Sequence, residues 1–194
     1  ISGITTLGTT SFTADATVNG VTVGKGANSA SGNTVLGETA LDANTTGTNN
    51  TAIGKDALTA NTTGVQNTTL GKTSLQANTT GDYNSALGSS ALYTNTTGTH
   101  NTALGRTALY ANTTASNNTA VGSNALGANT TGTDNTAVGA IALDANTTAS
   151  NNTALGYNSL GVNTTGADNT GVGKNALGSN TTASNNTAIG KQSL

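Results

Sequence analysis

The sequence predicts an all-β fold, a parallel β-solenoid or β-roll built from coils of 17 residues. Three observations carry this reading. The pentamer Asn-Thr/Ser-x-Leu/Ile/Val-Gly begins at Asn33, Asn50, Asn67, Asn84, Asn101, Asn118, Asn135, Asn152, Asn169 and Asn186, always 17 residues apart and without an insertion. Gly, Asn and Thr recur so often that no helical i, i+3, i+4, i+7 apolar stripe runs through the chain. Leu stands at the ninth position of every copy, from Leu41 to Leu194.

Numbered from the pentamer Asn, the repeat reads N-T-A-L-G-x-x-A-L-x-A-N-T-T-G-x-x. Positions 2 to 4 and 8 to 11 are short apolar pieces suited to strands, separated by a Gly corner and an Asn-Thr-Thr-Gly corner. Alternation within a strand puts positions 2 and 4 on one face and 9 and 11 on one face, and both faces are expected inside. One such coil cannot fold alone, because two aliphatics return far less than the ordering of 17 backbones costs. Stacking removes the difficulty: each coil hydrogen-bonds to the next, and Leu and Asn side chains form continuous ladders. The expected ladder includes Asn50, Ile53, Gly54, Leu58 and Asn61 in the second coil and Asn118, Val121, Gly122, Leu126 and Asn129 in the sixth. Gly at position 5 reads as a corner needing positive φ or close approach. The array, residues 33–194, holds ten coils, the last truncated at Leu194. Its ending inside a repeat and the opening at Ile1 rather than Met suggest a longer natural chain.

Residues 1–32 precede the register and read as an N-terminal β lead-in or cap. Phe12, Ala14, Ala16 and Val18 alternate toward one side, Asn19-Gly20 is a two-residue turn signal, and Val21 and Val23 come after it. Gly24 to Gly32 is expected to be a flexible step into the first coil.

Charged residues of the array occupy only the variable positions: Glu38, Lys55, Lys72, Arg106, Lys174 and Lys191 at 6, Asp56 at 7, Asp42 and Asp144 at 10, and Asp82, Asp134 and Asp168 at 16 or 17. Those positions are expected to face water. The absence of Cys excludes a disulfide framework and thiolate metal sites, and His100 alone makes no imidazole cluster. A net charge of −2 offers no basic stripe for nucleic acid. No apolar run approaches the roughly 20 residues of a membrane span. No Ser/His/Asp arrangement falls in register, and the Asp residues lack calcium-loop spacing. No catalytic residue, metal or cofactor is expected.

The runs Gly47-Thr-Asn-Asn50-Thr-Ala-Ile-Gly54 and Ser116-Asn-Asn-Thr-Ala-Val-Gly122 resemble the Asn-Ser-Val-Ala-Ile-Gly motif of trimeric autotransporter adhesin heads, the YadA-like family. They also resemble the Asn-Thr-Ala-Val-Gly…Ala-Leu…Asn-Thr-Thr-Gly arrays of phage tail-fibre proteins, which a lead-in similar to Val21-Thr-Val-Gly-Lys-Gly26 often precedes. The resemblance covers residues 21–194, and the tail-fibre likeness matches the whole repeat. It implies a homotrimeric β-roll in an extracellular or virion-surface appendage. The expected function is thus a non-enzymatic fibre segment, with a phage tail fibre contributing to host-cell attachment preferred. The alternative is a bacterial adhesin head or glycosylated filament whose repeat surface itself binds or shields. The composition independently favours association with copies of itself, since two large aliphatics per coil fill only a thin interior.

Asn-Thr-Thr matches the N-glycosylation pattern at Asn44, Asn61, Asn78, Asn95, Asn112, Asn129, Asn146, Asn163 and Asn180. The competing and preferred reading is that these side chains satisfy corner backbone groups and stack as a ladder. Tyr83, Tyr93, His100 and Tyr110 form a candidate surface patch for host-cell glycans, weighed against neutral decoration of variable positions. Thr columns at positions 2, 13 and 14 suggest an ice-binding grid, but adjacent positions 13 and 14 point to opposite sides of an extended strand, so that reading is set aside. Disorder is set aside too, because a solvated linker needs neither an undeviating register nor a constant Leu.

Overall fold

In the computed structural model, which describes residues 15–194, twelve strands form one sheet in chain order. β1 (Ala16–Val18) and β2 (Val21–Gly24) make an antiparallel hairpin, and β2 pairs antiparallel with β3 (Thr34–Gly37). From β3 onward the sheet is parallel. Its strands are β4 (Thr51–Ile53), β5 (Thr68–Leu70), β6 (Ser85–Leu87), β7 (Thr102–Leu104) and β8 (Thr119–Val121), then β9 (Thr136–Val138), β10 (Thr153–Leu155), β11 (Thr170–Val172) and β12 (Thr187–Ile189). The Cα register advances by one repeat at each step, Thr34 facing Thr51 and Thr51 facing Thr68. The chain is therefore a parallel β-solenoid with one coil per repeat. At ~4.8 Å between strands, its coils span roughly 45 Å.

Only positions 2 to 4 are strand. The second apolar piece, expected to extend as well, is a chain of turns, yet it is stacked just as tightly. Leu41 N–H donates to Ala57 O at 3.0 Å, Ala43 N–H to Thr59 O at 3.0 Å, and Thr45 N–H to Thr62 O at 2.8 Å, all toward the next coil. Gly54 N–H and Asp56 N–H donate the other way, to Leu36 O and Glu38 O, both at 2.9 Å. Backbone pairing along the axis thus runs around the whole circumference.

The turns require left-handed backbone at residues other than Gly. Positions 7, 9 and 17 take positive φ throughout, as in Thr107 (φ 56), Leu109 (φ 52) and Asn117 (φ 62). Such a conformation costs an L-residue about 1–2 kcal/mol, so it persists only because the neighbouring coils hold it. Its consequence is geometric: reversal at 7 and 9 turns Ala at 8 and Leu at 9 both inward, which strand alternation forbids. Leu41, Leu58, Leu75, Leu92, Leu109, Leu126, Leu143 and Leu160 are fully buried. Position 11, expected inside with them, is half-buried in Ala60, Ala77 and Ala111.

The strand face is also the reverse of the expected one. Position 3 faces in, with Ala52, Ala86, Ala103, Ala120, Ala137 and Ala154 fully buried. Position 4 faces out, so Ile53 and Val121 are rungs of an outer column rather than of the interior. The cause is volume: Leu of position 9 fills the coil from the opposite wall and leaves room at position 3 for nothing larger than Val35 of the first coil and Thr69 of the third. Where position 3 is Gly171, an added Cβ would lie 2.6 Å from Ser159 Oγ and 3.3 Å from Leu160 Cγ. Thr69, the polar exception, donates its hydroxyl to Thr51 O at 3.2 Å.

The Gly corner at position 5 is as expected. Gly105 has φ 137, and a Cβ there would stand 2.6 Å from both the carbonyl carbon and oxygen of Gly122 one coil on. Asn19 (φ 50) and Gly20 (φ 81) make the expected hairpin turn, with Val18 facing Val21. Phe12 and Ala14 lie outside the described residues; Val18, Val21 and Val23 are exposed, so the hairpin buries little of its own. The step from Gly24 to Gly32 is built rather than loose. Asp15 accepts from the N–H of Lys25 at 2.7 Å and of Gly26 at 2.6 Å. Ala27 N–H then donates to Leu41 O at 3.2 Å and Asn28 Nδ2 to Asn44 O at 2.7 Å, covering the open backbone of the first coil.

Leu109→Asp should lower stability by more than about 3 kcal/mol, the scale of a lost core Leu with an unpaired buried charge added; thermal unfolding by circular dichroism measures it, and an unchanged melt would remove Leu109 from the interior. Gly105→Ala should disrupt the stack, because its Cβ would press on the Gly122 carbonyl of the next coil at a left-handed φ; the same melt measures it.

Candidate interaction surface

The nine Asn-Thr-Thr asparagines resolve first, because their surroundings decide between sugar acceptor and ladder. Asn61, Asn78, Asn95, Asn112, Asn129, Asn146 and Asn163 are fully buried, and Asn44 is only 1% exposed. From Asn61 onward each amide nitrogen is spent twice, while Asn44 Nδ2, in the first coil, donates only to Gly47 O at 3.0 Å. Asn112 Nδ2 donates to Asn95 Oδ1 at 2.8 Å, one coil back, and to Ala115 O at 3.0 Å in its own coil. Asn180 makes the same two bonds, to Asn163 Oδ1 and Ala183 O, both at 3.0 Å. A glycan on a nitrogen that makes both bonds would displace one of them, so the folded coil favours the ladder at these positions. The pentamer Asn forms a second ladder: Asn118 N–H donates to Asn101 Oδ1 at 3.0 Å, and Asn118 Nδ2 to Gly132 O at 2.8 Å. Asn129 Nδ2 reaches the same Gly132 O at 2.9 Å. One corner carbonyl per coil is thus shared by both ladders, and among the described residues no buried side-chain nitrogen or oxygen lacks a partner. Leaving one such group unpaired would cost about 1–3 kcal/mol.

The outer face of the sheet carries a surface feature that continues from coil to coil. Position 4 supplies Leu36, Ile53, Leu70, Leu87, Leu104, Val121, Val138, Leu155, Val172 and Ile189, one aliphatic per coil without a gap. Leu70 is 49% exposed and Leu155 48%. Beside it runs position 2, Thr in every coil but one, where Ser85 stands. At position 13 the Thr hydroxyls are committed to the stack, as where Thr62 Oγ1 donates to Thr79 O at 3.0 Å. This column is plain in the repeat, but hydrophobicity alone places it in the interior.

The four patch residues form two stacks rather than one cluster. Tyr83 and His100, both at the left-handed position 17, stack with ring centroids 4.8 Å apart. Tyr93 and Tyr110 at position 10 stack at 5.2 Å with planes only 2° apart. A further aromatic contact, not anticipated, joins Tyr157 to Lys174, whose Nζ lies 5.5 Å from the ring centroid. Both stand at position 6 of successive coils, the same column in which Lys55 Nζ meets Glu38 Oε2 at 2.9 Å. The Glu38 carboxylate, by hydrogen bond and charge, holds the Lys55 ammonium above the usual lysine range.

Not every variable position is idle. Val65 N–H donates to Asp82 Oδ1 at 2.7 Å, and Thr99 N–H, Thr133 N–H and Ala167 N–H donate to Ser116, Ser150 and Ser184 Oγ at 2.9–3.0 Å. A side-chain oxygen at position 16 therefore caps the N–H of the coil before it. Asp144 at position 10 is half-buried, and burial raises its carboxyl above the usual range. Among the described residues no group of three or more His, Cys, Asp or Glu is placed to hold a metal ion, and no helix is long and apolar enough to cross a membrane.

No protein-family model, curated protein or solved structure matches this chain. The surface is that of a rod with one apolar column and two aromatic stacks.

Because desolvation raises the folded-state pKa of Asp144, the folded form binds its proton more tightly than the unfolded form does. Stability is lost as pH rises through the window between the unfolded and the folded value. Asp144→Asn should therefore melt higher than the parent chain at neutral pH, with the difference vanishing below the ordinary carboxylate range; melts across a pH series check this.

Proposed function

We propose that the chain is a non-enzymatic structural segment of a fibrous extracellular appendage, in which copies of the rod associate through the outer face of β3 to β12. The observation that carries this reading is the unbroken aliphatic column at position 4, one side chain per coil over roughly 45 Å. Contiguous apolar patches of that extent mark interaction sites on soluble proteins. A second copy is the occupant that fits best, because it brings the same column of one aliphatic per coil at the same ~4.8 Å axial spacing, matched along the whole array. The resemblance of the repeat to tail-fibre arrays supports three copies and a phage tail fibre on the virion surface, working mechanically to project a tip toward a host cell. The exposed stacks Tyr83–His100 and Tyr93–Tyr110 favour a second reading, an adhesin whose flank binds the target directly.

The test is oligomeric state. Light scattering on the purified chain should give three times the 18.7 kDa protomer mass. Replacing Leu70, Leu104 and Leu155 together by Lys should yield a monomer that keeps its β circular dichroism, because these side chains contribute nothing to the interior of their own coil. A parent chain that is monomeric at tens of micromolar would overturn association through this face.

A further inference from the structure

The Tyr93–Tyr110 stack stops abruptly at a rung that has no side chain. The column at position 10 runs Tyr93, Tyr110, Gly127, Asp144 in successive coils. One face of the Tyr110 ring is covered by Tyr93, and the other looks onto Gly127. The missing side chain leaves an open notch of about 570 Å³, lined by Tyr110 and Gly127 together with Arg106, Asn124 and Asp144. Asp144 leans back over the empty rung, since a Cβ on Gly127 would lie 2.7 Å from its Oδ1.

We propose that this notch binds one neutral pyranose ring of a saccharide, stacked on Tyr110 in the rung that Gly127 leaves open. The fit is one of shape and polarity. A ring laid parallel to Tyr110 continues a column whose existing pair is already parallel to within 2°, and the C–H face of a pyranose meets the negative π face of an aromatic ring favourably. Sugar hydroxyls both donate and accept, and the rim offers both partners: the Arg106 guanidinium and Asn124 amide donate, and the Asp144 carboxylate and Asn124 carbonyl accept. An acidic sugar would meet Asp144 and an amino sugar would meet Arg106, so the uncharged ring fits best. The notch is open to solvent, so affinity should be in the millimolar range, and useful mainly where many sites act together. The site belongs to a single rod and does not rest on association through the sheet face.

Saturation-transfer NMR on the whole chain, with the methyl glycosides of glucose, galactose, mannose, fucose and N-acetylglucosamine as probes, tests the assignment. At least one glycoside should receive saturation on its ring hydrogens. That signal should fall at least about tenfold in Tyr110→Ala and in Gly127→Tyr and be unchanged in Tyr83→Ala. Gly127→Tyr fills the rung with a residue that the same column already carries twice, so it keeps the fold even where truncation of Tyr110 does not. The assignment is overturned by absence of transfer to every glycoside or by persistence of the signal in Gly127→Tyr.

Discussion

Hydrogen bonding along the rod axis is the constraint on which the rest of this structure depends. Each coil donates some N–H groups forward, as Leu109 does to Ala125 O at 3.0 Å, and others backward, as Gly105 does to Leu87 O at 2.8 Å. A coil can join this ladder only if it copies the path of its neighbours, so an inserted residue would misalign every bond around the circumference. The strict 17-residue period is the chemical trace of that requirement. It also accounts for the left-handed Leu at position 9, a conformation that only a surrounding lattice of bonds sustains.

The interior obeys the same geometry. A coil of this length encloses one Leu, small residues opposite, and two buried amides. Polar Asn belongs there because its side chain does what backbone does elsewhere, donating and accepting along the axis at each rung. Hydrophobic burial alone would leave the corner carbonyl at position 15 unpartnered. The two Asn ladders converge on it, which is a structural reason for the Asn-Thr-Thr corner to repeat.

The surface divides into a regular part and an irregular part, and the two suit different tasks. The aliphatic column at position 4 repeats in every coil and suits contact with another regular object. The aromatic stacks, the position 6 charges and the Gly127 notch are local features and suit local recognition. A rod of this kind separates strength from specificity: the former resides in positions that cannot vary, the latter in positions that the ladder leaves free.

Period, stacking, the Leu and Asn ladders, the Gly corner and the Asn19-Gly20 turn were all legible in the residues, because each is imposed by repetition or by local backbone chemistry. The nature of positions 8 to 11, the inward side of the strand, the duty of Asp82 and the serines at position 16, and the notch above Tyr110 were not. Each of these depends on residues from two walls or two coils meeting in space. Ala103 faces in and Leu104 out because Leu109 has already filled the centre, a competition for volume that no pattern along a single strand records.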